Sequence, residues 1–255
     1  MIGLGGLDGQ GQRELLLALF GVLRGTTGEV LIDGRPVAIT GPHVAKRKEI
    51  GMALIPEDRK TEGLMLPMSV RDNLSFAALG TLSRWGIVDA AAERDAVERI
   101  VRLLAIRTDG TDLPAGSLSG GNQQKLVIGK WLMMAPRILL LNDPTRGIDV
   151  GTKQEMYQLL RELAGDGAAI LFYSTDYDEL VGCCDRVLVM YDGAIKRELI
   201  GAEVTERALI SSALNIGVEA PETGARFRRL RRERRLVVLA ARAQRARCSL
   251  SRASS

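Results

Sequence analysis

A glycine-rich run near the start of the chain is the first segment whose residue types suggest chemistry. It reads GLDGQGQRE and begins at Gly6. Glycines at this spacing are typical of loops whose backbone N–H groups surround phosphate oxygens at the beginning of a helix. Such loops usually end in a lysine followed by a hydroxyl residue, whereas this chain has Gln12 and Arg13. The run therefore predicts a phosphate nest around Gly9 and Gly11 that lacks the usual ammonium group.

Four later segments carry further polar residues in an ordered series. They read ALIPEDRKTEGL (53–64), LSGGNQQK (118–125), ILLLNDPTRGIDV (138–150) and YSTD (173–176). In this order, after the glycine run, they resemble the Q-loop, the signature motif, the Walker B strand with its D-loop, and the switch region of ATP-binding cassette (ABC) ATPases. PTRGIDVGTK (144–153) and the Q-loop segment together are similar to the second cassette of bacterial monosaccharide importers, whose ATPase subunit carries two cassettes. The resemblance covers roughly residues 2–215.

The resemblance implies ATP and Mg²⁺ as cofactors, but two expected metal contacts are altered. Arg13 stands where the family has a hydroxyl, and arginine has no oxygen with which to bind Mg²⁺. Asn142 replaces the Walker B aspartate and is a poorer partner for a hard cation because it is neutral. Gln12 offers a neutral hydrogen bond, about half as strong as a charged one, in place of the lysine. We therefore expect weak Mg²⁺ binding at this chain's own site.

Three further positions implied by the family to be catalytic also depart from its pattern. Asp143 replaces the glutamate that polarises the attacking water, and a displacement of ~1 Å can cost about a hundredfold in rate. Thr175 occupies the switch-histidine position and offers no imidazolium. Glu57 replaces the Q-loop glutamine and brings negative charge toward a site for anions. The sequence thus predicts a degenerate site, with little or no ATP hydrolysis by this chain alone.

The signature motif, by contrast, is complete. Its residues are Leu118, Ser119, Gly120, Gly121 and Gln123, and the D-loop aspartate is present as Asp149. In the family, two cassettes pair head to tail, and each ATP lies between one P-loop and the signature of the other cassette. The resemblance therefore implies a second ABC cassette as partner, from the same subunit or a separate chain, whose ATP site this chain completes.

Strands and helices must alternate to position these segments. Short apolar runs at 138–141, 168–173 and 186–191 predict strands, and 153–164 predicts a helix between the first two. Asp33-Gly34 and Asp192-Gly193 predict hairpins. Residues 69–106 are expected to be mostly helical. The implied fold is α/β, a P-loop NTPase of the ABC-ATPase type. It has a mostly parallel sheet with flanking helices, an antiparallel hairpin subdomain and a helical signature subdomain at about 69–134.

Charge is distributed unevenly along the chain, which has a net charge of +4. Residues 226–255 contain eleven arginines and one glutamate, about +10, so residues 1–225 carry about −6. We expect residues 1–215 to form the cassette and residues 216–255 to form a basic, disordered tail. No specific nucleic-acid partner is expected, because the basic pI belongs to the tail.

The location follows from the resemblance and from what the sequence lacks. No apolar run approaches the ~20 residues of a membrane span, and no signal peptide is apparent. We expect a cytoplasmic protein, peripheral on the inner face of the membrane and bound to membrane permease subunits. Only eleven residues precede Gln12, so we also expect an N-terminally truncated cassette without the family's adenine-stacking aromatic.

Other functions remain open at this point. One is a non-hydrolysing module that binds nucleotide or only the membrane subunits. Another is a truncated remnant without function, suggested by the short N-terminus and the foreign tail. A third is nucleic-acid binding through the arginines, which predicts an affinity that falls steeply with salt.

Overall fold

The computed structural model of the protein describes residues 1–216 and the backbone of residues 235–237. The strands are β1 (Ile2–Gly5), β2 (Thr27–Ile32), β3 (Arg35–Val37), β4 (Met52–Ile55), β5 (Ser83–Arg84), β6 (Ile87–Val88), β7 (Ile138–Asn142), β8 (Ala169–Tyr173), β9 (Arg186–Tyr191), β10 (Ala194–Ile200) and β11 (Arg235–Val237). The α-helices are α1 (Gln12–Phe20), α2 (Pro42–Ala45), α3 (Val70–Ser75), α4 (Leu79–Leu82), α5 (Ala90–Leu103), α6 (Gly120–Leu132), α7 (Val150–Gly165), α8 (Tyr177–Cys183) and α9 (Glu206–Ala213).

Six strands form the central sheet in the order β10-β9-β1-β8-β7-β4. Every neighbouring pair is parallel except β9 and β10, which form a hairpin. This confirms the predicted α/β class with a mostly parallel sheet. The carboxyl ends of the parallel strands lie at one edge, so the segments after β1, β4, β7 and β8 meet there.

Both faces of the sheet are covered, which explains why β7 is apolar at four successive positions. Leu139 and Leu141 belong to a core cluster that includes side chains of α3 and α5 to α9. Ile138 and Leu140 face a second cluster with α1 and α2. Strands buried on both faces have continuous apolar runs because both sets of alternating side chains leave water.

The predicted hairpins are present. Asp33 and Gly34 have positive φ angles of 53° and 76°, as a type I′ turn requires, and they join β2 to β3. Asp192 and Gly193, with φ angles of 51° and 68°, join β9 to β10.

The region 69–106 is less helical than predicted. A two-stranded hairpin, β5 and β6, separates α4 from α5, and its turn is formed by Trp85 and Gly86 with φ angles of 57° and 79°. An amphipathic spacing does not reveal such a turn, because Trp85 is an uncommon residue at positive φ. Helices α8 and α9 were not predicted.

Part of the chain lies beyond these elements. The backbone of β11 pairs in parallel with β2. Apart from residue 216 and the backbone of β11, the prediction of a disordered tail at 216–255 concerns residues outside those described. Within residues 1–216 and 235–237, no helix is long and apolar enough to span a bilayer.

Candidate functional site

The glycine loop, Gly6–Gly11, follows β1 and ends where α1 begins. Gly6 has φ +132°, and a Cβ there would lie 2.4 Å from the carbonyl oxygen of Met190, so only glycine fits. Gly9 has φ +76°, and a Cβ there would meet no described heavy atom within 4 Å. Gly11 precedes α1 without a side-chain cap. The loop therefore leaves N–H groups at a helix start, open to an anion.

Both side chains after the loop are engaged within the chain. Gln12 is only 1% exposed, and its Nε2 donates to the carbonyl oxygens of Leu7 at 3.0 Å and of Gly5 at 3.4 Å. Arg13 forms an ion pair with Glu62, with Nη2 and Oε1 2.6 Å apart. The amide of Gln12 and the guanidinium of Arg13 are thus bonded to protein oxygens.

The structure brings Asn142, Asp143 and Thr175 together at the ends of β7 and β8. Both Asn142 and Asp143 are buried, and Oδ1 of Asn142 has no hydrogen-bond partner among the described residues. Asp143, at φ +45°, accepts a hydrogen bond from Oγ1 of Thr175 at 2.8 Å. Burial, opposed in part by this hydrogen bond, raises the pKa of Asp143, and the charge of Glu179 adds to the rise.

Glu57 follows β4 at the same edge, and its carboxylate forms an ion pair with Arg146. Nη1 of Arg59 donates to the carbonyl oxygen of Arg146 at 3.3 Å. A π-helix of residues Arg59–Gly63 follows, capped by Asp58, and such short π segments are frequent at functional sites. The negative charge expected from Glu57 is therefore paired locally.

The signature segment, Leu118–Gln123, opens α6. Ser119 is exposed and is the N-cap residue, but its side chain makes no capping hydrogen bond; instead its Oγ accepts from Nδ2 of Asn122 at 2.9 Å. Gln123 is buried and donates from Nε2 to the carbonyl oxygen of Leu118 at 3.0 Å. The first-turn N–H groups from Gly120 onward consequently have no capping side chain in the described chain.

Asp149 is the N-cap residue of α7 and lies beside the signature segment. Its carboxylate accepts hydrogen bonds from the backbone N and from Oγ1 of Thr152, each at 2.9 Å. These bonds lower the pKa of Asp149. A Cβ added to Gly121 would lie 2.6 Å from Oγ1 of Thr152, so α6 and α7 approach closely here only because residue 121 is glycine. Because Asp149 is the N-cap, helix α7 begins at Val150, three residues before the predicted start at residue 153.

Two faces can now be defined at this edge of the sheet. The own-site face consists of the glycine loop with Gln12, Arg13, Asn142, Asp143, Thr175 and Glu57. The signature face consists of the signature segment and Asp149.

Sequence reasoning missed two tyrosines that hold the glycine loop. The hydroxyl of Tyr173 donates to Oδ1 of Asp8 at 3.1 Å, and that of Tyr177 donates to the carbonyl oxygen of Gly6 at 3.2 Å. Burial, followed by the charge of Asp8, raises the pKa of Tyr173, so it remains a hydrogen-bond donor at neutral pH. The available signal was their position, because Tyr173 is the first residue of the switch segment and Tyr177 follows its last residue.

A buried carboxylate was also missed. Glu179 of α8 accepts hydrogen bonds from Thr145 and Ser174 and pairs with Lys153. Within the described residues, no group of three or more histidine, cysteine, aspartate or glutamate side chains could hold a metal ion.

Comparison with known proteins gives consistent matches. A family model described as ABC transporter matches residues 1–146. The chain is 75% identical over 222 residues to the ribose import ATP-binding protein RbsA 1 of Mesorhizobium japonicum, covering 87% of this chain and 43% of that protein. Identity to the ribose import ATP-binding protein RbsA of Geobacillus kaustophilus is 44% over 213 residues, covering 84% and 43%. The chain thus spans about 43% of the length of these curated relatives.

Solved structures agree on the fold. An ATP-binding cassette of an ABC transporter superimposes with a TM-score of 0.71 at 22% sequence identity, covering 86% of this chain and 87% of that one. At this identity the likeness concerns the fold alone.

Proposed function

The chain belongs to the ABC transporter family, and from this premise we propose that it is the ATP-binding cassette component of a sugar importer that completes the ATP site of a partner cassette. The two relatives described above are ribose import proteins by name, so ribose or a related monosaccharide is the proposed cargo of the assembled transporter.

The observation that carries the proposal is the uncapped start of α6. Ser119 is exposed, its side chain caps no backbone N–H of the helix, and Gly120 follows without a side chain. A helix start of this kind favours an anion through its unpaired N–H groups and the helix dipole. The guanidinium of Arg59 lies close by, with Nη2 3.0 Å from the position that a Cβ of Gly120 would take. The signature face therefore suits the terminal phosphate of a nucleotide held by another cassette.

The own-site face fits the phosphates of a nucleotide better than it fits a metal ion. The positive φ angles of Gly9 and Gly11 and the open space at Gly9 allow close approach of an anion to the backbone. Oδ1 of Asn142, which has no hydrogen-bond partner in the described part of the chain, is one oxygen available to Mg²⁺, whereas Asp143 is already bonded to Thr175 and Arg13 offers no oxygen. When bound, Mg²⁺ would neutralise phosphate charge; this donor set makes its binding weak.

Little hydrolysis is expected at this face. Asp143 is the proposed replacement for the residue that orients water, but its Oδ2 already accepts a hydrogen bond from Thr175, so this oxygen is less available to a water molecule. Thr175 supplies a hydroxyl where a cation would stabilise the transferred phosphoryl group.

The remaining assignments follow from the same role. Residues 1–215 are proposed to form the cassette, with a helical subdomain at about 69–134. The proposed partners are a catalytic cassette and membrane permease subunits, at the cytoplasmic face of the membrane.

A second candidate function is that of a nucleotide-binding module without turnover. The Arg13–Glu62 ion pair favours it, because this pair removes a cation from the phosphate nest.

The test is Mg-ATP turnover by this chain mixed with a catalytic cassette, taken from the part of the Mesorhizobium relative that the chain does not match. We expect the wild type to stimulate turnover and Ser119→Arg to lower it by about a hundredfold or more, because the partner's terminal phosphate loses its donors.

Ser117→Arg is the matched control, since Ser117 is also exposed and lies two residues away. It adds the same charge and should retain most of the stimulation. Stimulated turnover that survives Ser119→Arg would exclude the completing role. If the wild-type chain does not stimulate turnover in the mixture, that result would favour the non-hydrolysing module.

A further inference from the structure

Glu179 is a buried carboxylate that the proposed function does not use. Its side chain is 3% exposed. Oε2 accepts hydrogen bonds from Oγ1 of Thr145 at 2.6 Å and from Oγ of Ser174 at 2.7 Å. Oε1 lies 2.7 Å from Nζ of Lys153. The ion pair raises the pKa of Lys153, so this amine stays charged. A buried carboxylate with two hydroxyl donors and an ammonium partner strongly restrains the segments that supply them.

Those segments are distant in sequence but central to the two faces. Thr145 comes two residues after Asp143, and Ser174 immediately precedes Thr175. Glu179 thus connects to both sides of the own-site face. Lys153 lies in the first turn of α7, which begins after Asp149. The carboxylate therefore ties the own-site face to the start of α7.

The start of α7 in turn supports the signature face. Thr152 precedes Lys153, and its N–H and hydroxyl are both bonded to Asp149. The same Thr152 side chain packs against Gly121, close enough that a Cβ on residue 121 would lie 2.6 Å from its Oγ1. A shift of the first turn of α7 would consequently move both Asp149 and the signature segment.

Among the described residues, Lys153 has one other carboxylate partner, Asp176, with Nζ and Oδ2 3.3 Å apart. Asp176 is about half exposed, so water weakens this second pair. Glu179, which is closer and buried, is therefore the stronger of these two carboxylate partners of Lys153.

We propose that Glu179 is a positioning residue: it holds the first turn of α7, and with it Asp149 and Gly121, in the arrangement in which the signature face meets a partner's nucleotide. This role rests on the proposed function, but the placement of α7 is a property of this chain alone and can be tested without a partner.

The first experiment is amide hydrogen exchange on the full chain, comparing wild type with Glu179→Gln. The glutamine keeps the shape but loses the charge. We expect exchange about tenfold faster at the hydrogen-bonded amides of the segments 119–123 and 150–154, namely those of Gln123, Thr152 and Lys153, with the amides of β1 and β8 unchanged. Glu198→Gln is the control, since it removes an ion pair to Arg186 on the far edge of the sheet and should alter neither segment.

A second variant keeps the test valid if Glu179→Gln does not fold. Lys153→Met removes the other half of the pair from a less buried position. We expect it to accelerate exchange in the same segments, and we expect the double variant to add little to Glu179→Gln, because the ion pair between Lys153 and Glu179 is already lost in that single variant. Uniform acceleration along the chain, or none in these segments, would overturn the proposal.

The second experiment uses the mixture with a catalytic cassette. Glu179→Gln is expected to lower kcat about tenfold with KM for ATP unchanged, since it displaces groups that act on the partner's bound nucleotide. If the wild-type chain fails to stimulate turnover while the exchange result holds, the proposed function fails and the anchoring of α7 stands. Stimulation by the wild type with unaltered kcat in Glu179→Gln would overturn the positioning role.

Discussion

The own-site face and the signature face lie near the same edge of one sheet, yet they satisfy their polar groups in different ways. On the own-site face, Gln12 donates to the loop's own carbonyl oxygens, Arg13 pairs with Glu62, and Asp143 bonds to Thr175. On the signature face, the start of α6 has an exposed Ser119 that caps nothing. Groups bonded within the chain are not available to a ligand, whereas uncapped N–H groups are.

The difference separates the two faces by what their polar groups are free to do. On the own-site face the polar side chains bond within the chain, which stabilises the fold around them. The signature face cannot be altered so freely, because Gly121 has no room for a side chain against Thr152. We expect three substitutions to break or sharpen this comparison.

The largest effect should come from Gly121→Ala on the signature face. Its Cβ would lie 2.6 Å from Oγ1 and 3.1 Å from Cγ2 of Thr152, so rotating the threonine does not relieve the contact. We expect a loss of about 1–3 kcal/mol in the free energy of unfolding, measured by urea denaturation. Gly165→Ala in α7 is the control, because a Cβ there meets no described heavy atom within 4 Å. It should be neutral or stabilise by up to about 1 kcal/mol, and equal losses in both variants would contradict the close packing of α6 on α7.

An intermediate effect should follow from restoring the own-site face with Gln12→Lys, Arg13→Thr and Asn142→Asp together. These changes return an ammonium group, a hydroxyl and a carboxylate to the phosphate nest and the metal position. We expect Mg-ATP to bind about tenfold or more tightly, roughly 1.4 kcal/mol, by titration calorimetry.

The same titration without Mg²⁺ is the control for that variant. Most of the gain should disappear with the metal, because two of the three changes supply oxygen ligands. Affinity equal to that of the wild type would show that these three residues do not limit binding.

The smallest effect should come from Asp143→Asn, which removes an ionisable group but keeps an oxygen to accept from Thr175. Because burial raises the folded-state pKa of Asp143 above 3.8, the fold favours the protonated acid. The wild type therefore loses stability as pH rises through that pKa, and the asparagine variant does not. The stability difference in favour of the variant should be larger at pH 7 than at pH 4, measured by denaturation at each pH. A difference that does not change with pH would contradict the raised pKa.

Much of the fold could be predicted because it depends on local pattern. The apolar run of β7 predicts a strand buried on both faces, and Asp33-Gly34 and Asp192-Gly193 predict hairpins through their backbone preferences. The order of the motifs carried the resemblance to ABC ATPases, and the alternation of strands with helices predicted the mostly parallel sheet. The β5–β6 hairpin was not predicted, because its turn has a tryptophan at positive φ instead of one of the residues that favour this conformation.

The sequence by itself determined the family and the α/β class, and it supplied the residues proposed for the two faces. Only the tertiary structure decided which of these residues bond to one another. Arg13 and Glu62 are 49 positions apart, and Thr175 and Asp143 are 32 apart. Glu179 has no motif at all, and its partners come from three segments. Contacts between distant residues depend on how helices pack on the completed sheet, and no local spacing encodes that packing.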